Sequence, residues 1–148
     1  MNGKVIYRVL ICASVICYIA ACFLPVHRND EPAQGALMLL FGGLAFIADI
    51  PTFLVWCANP LMFLSTGLMC SKIGSPNIPI ILSFLAFILG VGFMFMDTIV
   101  DNEAGASVDR GPLKIGYYTW LLSLALMFIA SLVAKNSDRT DKHIRGCV

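Results

Sequence analysis

The chain has 148 residues, of which 59% are hydrophobic and only 13% charged, and its mean hydropathy is +0.85. A soluble domain carries about 25% charged residues, so this composition excludes a soluble globular enzyme and indicates an integral membrane protein. The formal net charge of +1 provides no basic field that would hold nucleic acid.

The first apolar segment predicts a transmembrane helix over residues 5–26. Only Arg8 interrupts it, and about 20 such residues cross a hydrocarbon core of roughly 30 Å. Pro25 and the polar residues after it end the helix. The basic start, the apolar run and the small residues before Cys22 also resemble a bacterial lipoprotein signal. Because the apolar run continues beyond Cys22, we favour an uncleaved helix over that alternative.

The second apolar segment, residues 36–72, is too long to be one straight helix. It would extend about 50 Å, well beyond the thickness of the hydrocarbon core. We expect it to break between Asp49 and Pro51 and again between Asn59 and Pro60. Asn59 is then the N-cap of a new helix, with Pro60 at the first helical position.

Two further spans are predicted over residues 78–97 and 115–135. The first of them contains Ala86 and Gly90, a small-xxx-small pair that lets a neighbouring helix approach closely. We expect this Ala86/Gly90 face to pack against a membrane-protein partner or a second copy of the chain. The polar connection between the two spans has neither a strand nor a helix period, and residues 136–148 form a polar tail.

These segments predict an all-α integral membrane protein, with residues 1–148 forming one transmembrane domain in the lipid bilayer. Four crossings are favoured, and five are the alternative if the second segment is a full hairpin. Lys and Arg are enriched in cytoplasmic flanks. With four crossings, both termini are cytoplasmic because their side holds most of the basic residues, and the tail is cytoplasmic in either arrangement. The basic residues on that side are Lys4, Arg8, Lys72, Lys135, Arg139, Lys142 and Arg145.

Asp49 is the only carboxylate inside an apolar segment, and ionisable residues at membrane depth are functional candidates by default. Asn59 is the second polar candidate. A small transporter or channel component that uses Asp49 is therefore one hypothesis. The competing interpretation is structural, because Asp49 stands two residues before Pro51 and can cap the next helical turn. We expect the structural role, since no second intramembrane charge is available to pair with Asp49.

Metal, cofactor and catalytic sites are not expected. No two of the six cysteines have the Cys-x-x-Cys spacing of a zinc or redox site, and His27 and His143 are far apart in the chain. The serines in the apolar segments have no histidine or lysine at a suitable depth to activate them. We therefore predict that the protein is not an enzyme.

Three short sequences carry a resemblance to a known group of proteins. They are the Leu24–Pro25 pair that closes the first helix, the Trp-x-Ala-Asn-Pro-Leu sequence that begins at Trp56, and the Gly-Tyr-x-x-Trp-Leu-x-Ser sequence that begins at Gly116. Together they resemble a group of small, uncharacterised bacterial multi-pass inner-membrane proteins. The resemblance implies placement in a bacterial inner membrane and implies no functional residues. We expect an accessory, subunit or immunity-type protein that acts by helix packing in the membrane.

Overall fold

The computed structural model describes residues 3–26, 36, 42–44, 46, 49–71, 75–96, 98–100, 107–109 and 112–145. It is a helical protein, and four of its helices are long and apolar enough to cross a membrane: Val5–Phe23, Ile50–Ser71, Asn77–Phe95 and Ile115–Ser137. The predicted fold class, an all-α membrane protein with four crossings, is confirmed. Of the second predicted segment, most of residues 36–48 lie outside the described part.

The first helix, α1, covers Gly3–Phe23 and begins two residues before the predicted span. It ends at Phe23, three residues before the predicted end of the span at residue 26, because Pro25 has no backbone N–H to continue the helical ladder. The N–H of Leu24 donates to the carbonyl of Ala21 at 3.2 Å and closes the last turn.

The second span consists of two helices, α2 (Ile50–Trp56) and α3 (Ala58–Ser71), which are separated by Cys57 alone. The predicted break at Asp49 is confirmed, because Asp49 is the N-cap of α2. The predicted start of the next helix at Asn59 is wrong, since α3 already includes Asn59 in its first turn. Pro60 fits there because the first turn of a helix needs no backbone N–H from it. The second span is therefore interrupted at one residue, Cys57, and not between Asn59 and Pro60.

The third span is α4, Asn77–Gly92, followed by a 3₁₀ turn over Phe93–Phe95. Ala86 and Gly90 are both buried on this helix. A Cβ atom at Gly90 would lie 2.7 Å from Cδ1 of Leu124, so the small pair does admit a close neighbour. That neighbour belongs to the same chain. The expected use of this face for an external partner is therefore corrected: the face is already covered.

The connection before the last helix contains two short strands, β1 (Thr98–Val100) and β2 (Ser107–Asp109). They pair antiparallel, with Ile99 opposite Val108. The sequence predicts no strand here, because three residues are too few to display a period of two. The strand pair lies in the connection between α4 and the last helix, outside the four apolar helices. The edges of a two-stranded sheet carry unpaired N–H and C=O groups, which are not tolerated in contact with hydrocarbon, so this is the expected position.

The last helix, α5, covers Ile115–Arg145 and continues ten residues beyond the predicted end of its span at residue 135. No proline or glycine interrupts the sequence between Gly116 and Gly146, so nothing local stops the helix when the apolar segment ends. Most of the predicted tail is thus helical, and its last three residues lie outside the described part.

The helices pack in the spatial order α1, α5, α4 and α3, so that α5 lies between α1 and α4. Their shared core contains Tyr18, Met62, Leu124 and Met127. Many large apolar side chains face outward instead, among them Ile16, Phe23, Phe63, Ile81, Leu85, Ile88, Leu122 and Ile129. Such a surface is stable in a bilayer, where hydrocarbon replaces water around it.

The end of α1 is fixed to the beginning of α5 by backbone contacts. The N–H of Lys114 donates to the carbonyl of Val26 at 2.9 Å, and the N–H of Gly116 donates to the carbonyl of Pro25 at 3.0 Å. A Cβ at position 116 would lie 2.6 Å from that same carbonyl oxygen, so only glycine permits this approach. These bonds satisfy N–H groups at the start of α5 that have no partner within the helix.

Candidate functional site

Asp49, the first polar candidate, makes its hydrogen bonds at the start of its own helix. The backbone N–H of Thr52 donates to Oδ2 of Asp49 at 3.1 Å, and the Thr52 hydroxyl donates to the same oxygen. This is the arrangement of an N-cap, in which a carboxylate accepts from the free N–H groups of the first turn. The carboxylate also lies at the positive end of the helix dipole. Its position is accounted for by local structure.

Asn59, the second candidate, connects three helices. Its side-chain oxygen Oδ1 accepts a hydrogen bond from the Tyr18 hydroxyl of α1 at 3.1 Å and another from Nε1 of Trp120 in α5 at 2.9 Å. Because the indole N–H can only donate, the atom that faces it must be the amide oxygen. Asn59 is 8% exposed, so this junction lies inside the bundle. The structure does not bring Asn59 and Asp49 together.

No local sequence pattern predicts Tyr18 and Trp120 as the partners of Asn59. The sequence places Trp120 among aromatic residues at the headgroup level, a position typical of membrane proteins. In the structure its ring is partly buried and packs near Tyr117, with the ring centroids 6.1 Å apart. The partners of Asn59 are separated from it by 41 and 61 positions, a distance at which no local pattern signals a contact.

Serine hydroxyls form several further polar contacts between helices. Ser14 of α1 donates to the carbonyl of Ser123 in α5 at 2.7 Å. Ser65 of α3 donates to the carbonyl of Pro79 in α4 at 2.9 Å. The hydroxyls of Ser83 and Ser131 lie 3.1 Å apart and join α4 to α5.

These serines are buried, and within the described residues their hydroxyls contact carbonyls, another hydroxyl or a methionine sulfur rather than a general base. An unactivated serine is a poor nucleophile, so the arrangement supports helix association rather than group transfer. The tyrosine at the start of α5 has a comparable role. The hydroxyl of Tyr117 donates to the carbonyl of Gly90 at 3.0 Å, at the glycine that makes room for the side chain of Leu124.

An apolar groove of about 360 Å³ lies between α1 and α3. Its walls expose no polar atoms, and the ring of Tyr18 forms part of its floor, packed edge-on to Phe63 with the centroids 5.1 Å apart. The full lining consists of Val15, Tyr18, Ile19, Cys22, Phe23, Met62 and Phe63. Such walls cannot orient an ion or a polar substrate.

The part of the chain that the structure describes contains no cluster of three or more His, Cys, Asp or Glu side chains that could hold a metal ion. The five cysteines whose positions are described are free. Comparison with protein-family models, with curated proteins and with solved structures finds no match to this chain. The residues of the bundle are therefore the only basis for a functional proposal.

We predict that the Asn59 junction stabilises the bundle cooperatively. Tyr18→Phe removes one donor and keeps the ring, so it should lower the free energy of unfolding by about 0.6–2 kcal/mol. Asn59→Leu should cost more, because it leaves the Tyr18 hydroxyl and the Trp120 indole N–H without their acceptor. In the Asn59→Leu background, Tyr18→Phe should cost less than in the wild type.

Reversible unfolding in mixed micelles provides the measurement. Ser71→Ala is the matched control, since the exposed Ser71 hydroxyl bonds only to carbonyls of its own helix, and it should leave the stability nearly unchanged. Strictly additive effects of Tyr18→Phe and Asn59→Leu would show that the junction has no cooperative role.

Proposed function

We propose that the protein is a non-enzymatic multi-pass protein of a bacterial inner membrane that acts by packing its helices against another membrane protein. Its role would be that of an accessory protein, a subunit or an immunity-type protein. The observation that supports this best is the use of the buried polar groups. Each of the described ones makes a hydrogen bond inside the bundle: Ser14, Asn59, Ser65, Ser83, Ser123 and Ser131.

A protein that conducts ions or polar solutes needs polar groups that line a path. In the described residues, the hydroxyls instead join one helix to the next, and the groove between α1 and α3 exposes no polar atoms. The outward face of the described spans offers many large apolar side chains, which suits lateral contact with another helix in the membrane.

A small transporter or channel component remains the second candidate, and one observation favours it. The amide nitrogen of Asn59 has no acceptor among the described residues, although the side chain is more than nine-tenths buried. A buried donor without a partner costs free energy, and a water molecule or a passing solute would satisfy it. Asp49 at the start of the same span would then provide the ionisable group that such a path requires.

The test of the main proposal is a photo-crosslinking scan in living cells. A photoreactive amino acid at outward positions of α4 (Ile81, Leu85) and of α1 (Ile16, Ile19) samples two faces of the bundle. We expect one protein adduct of constant mass from both positions of one face, and none from the other face, because lateral packing uses a defined surface. Crosslinks to lipid alone at all four positions would contradict the proposal.

The C-terminal end of α5 is predicted to lie in the cytoplasm, because the four basic residues Lys135, Arg139, Lys142 and Arg145 form the densest basic flank of the chain. A fluorescent protein fused after residue 148 should fluoresce, and alkaline phosphatase at the same position should be inactive. Fusions in the connection between α4 and α5 are the control and should give the opposite pattern. Active phosphatase at the C-terminus would show that this end lies outside the cytoplasm and would contradict the predicted orientation.

Substitution of Asp49 separates the two candidate functions. Asp49→Asn keeps an oxygen that can accept from the Thr52 N–H, so folding and cellular activity should remain near wild type. Asp49→Leu removes the cap, should cost about 0.5–2 kcal/mol and should reduce accumulation. A neutral isostere cannot relay protons. Normal accumulation of Asp49→Asn with loss of cellular activity would therefore favour the transporter over the accessory protein.

A further inference from the structure

We propose that the amide nitrogen of Asn59 binds one buried water molecule, which is a permanent part of the junction between α1, α3 and α5. The same nitrogen favours the second candidate function, in which a solute passes it. Here it receives a fixed ligand that bridges Asn59 to Tyr18, so the inference stands whether the protein is an accessory protein or not. It follows from the orientation, the burial and the unused donor capacity of the Asn59 side chain.

The orientation of the Asn59 amide is fixed by its neighbours. The indole N–H of Trp120 lies 2.9 Å from Oδ1, and an indole nitrogen can only donate. If the amide were rotated by half a turn, its NH2 group would face the indole N–H, and two donors would oppose each other. The nitrogen Nδ2 is therefore directed away from the Trp120 donor.

The two N–H groups on Nδ2 form no hydrogen bond with any residue that the structure describes. Asn59 is nevertheless more than nine-tenths buried. It stands nine positions after Ile50, where its apolar span begins, which corresponds to a depth of about 13 Å along the helix. Hydrocarbon at that depth offers no acceptor, and a buried donor without an acceptor is costly, so a ligand at Nδ2 stabilises the folded protein.

The surroundings of Nδ2 select water as that ligand. The partners at the junction are a phenol, an amide and an indole, none of which is charged, so a bound anion would have no counter-charge. The ester carbonyls of phospholipids lie outside the hydrocarbon core, too far from a residue at this depth. A water molecule is neutral and small, and the remaining exposure of Asn59, 8%, shows that a sphere of that size can still touch the residue.

The Tyr18 hydroxyl provides the second hydrogen bond that a buried water requires. Its proton is donated to Oδ1 of Asn59 at 3.1 Å, but the lone pairs of its oxygen can still accept. Because Nδ2 and Oδ1 are attached to the same carbon, Nδ2 and the Tyr18 oxygen are separated by less than two hydrogen-bond lengths. One water can therefore accept from Nδ2 and donate to Tyr18. It would join α1 to α3 a second time.

A crystal structure of the full-length wild type, grown in a lipid mesophase at a resolution that shows ordered water, tests the proposal. We expect one density peak at hydrogen-bond distance from Nδ2, about 2.7–3.2 Å. Tyr18→Phe keeps the ring but removes the second partner of the water, so the peak should be lost. Ser71→Ala is the control, because the Ser71 hydroxyl is exposed and bonds within its own helix, and it should retain the peak.

Solid-state NMR of the protein in bilayers gives a second measurement that needs no crystal. With ¹⁵N-labelled asparagine, magnetisation should pass from water to the side-chain N–H signals of Asn59, which are identified by their contact with the Trp120 indole. This transfer should disappear in Tyr18→Phe. In deuterated solvent, the Asn59 side-chain protons should exchange more slowly than those of the exposed Asn77, because a fixed water is not a path to bulk solvent.

Three results would overturn the inference. The first is a wild type without water at Nδ2 by either method, and the second is a water that persists at full occupancy in Tyr18→Phe. The third is exchange at Asn59 as rapid as at Asn77, which would replace the fixed water with an open path and favour the transporter candidate. None of these results depends on the crosslinking scan, so this inference and the proposed function fail separately.

Discussion

The side-chain oxygen of Asn59 accepts hydrogen bonds from two other helices, and the arrangement of the bundle depends on this junction. In hydrocarbon, an indole N–H or a phenol hydroxyl has no water to bond, so each must find an acceptor within the protein. Tyr18 and Trp120 find the same one. Any shift of α1 or α5 relative to α3 would separate a donor from its acceptor. The junction therefore fixes the relative positions of three spans, where apolar packing alone would permit several.

The serine contacts apply the same constraint between pairs of helices. Ser14, Ser65 and Ser83 join α1 to α5, α3 to α4 and α4 to α5, in that order. Hydroxyl groups suit this purpose because they are small, and helices that meet through small residues approach closely. Gly90 contributes in another way, since its missing side chain makes room for Leu124. Between α1 and α3 the contact comes from the large side chain of Tyr18 instead of a small residue, and these two helices do not pack closely along their lengths.

Local features of the sequence predicted much of the fold. Apolar segments of sufficient length indicated the four crossings, Pro25 indicated the end of α1, and Asp49 indicated a cap. Each of these depends on residues within one or two helical turns. Asn59 was misplaced because an asparagine before a proline has the local pattern of an N-cap, whereas its actual partners are 41 and 61 positions away. The sequence predicts that polar groups must be satisfied, but not by which helix.

The Ala86/Gly90 face illustrates the same limit. The small pair indicates that some helix approaches closely, and this is correct, but a single sequence does not distinguish a helix of the same chain from a helix of a partner. The order of packing decides that question: α5 lies between α1 and α4, so the small face of α4 is already occupied.

Because α5 covers the Ala86/Gly90 face of α4, this face is not available for contact with another protein. Its described buried polar side chains form hydrogen bonds within the bundle, many of them to backbone carbonyls, and the outer surface of its described spans carries many large apolar side chains. Because lipid tails are as apolar as such a surface, hydrophobicity gives a partner helix no advantage over lipid. Recognition of a partner helix would then depend on the shape of the surface, as it does where Gly90 makes room for Leu124.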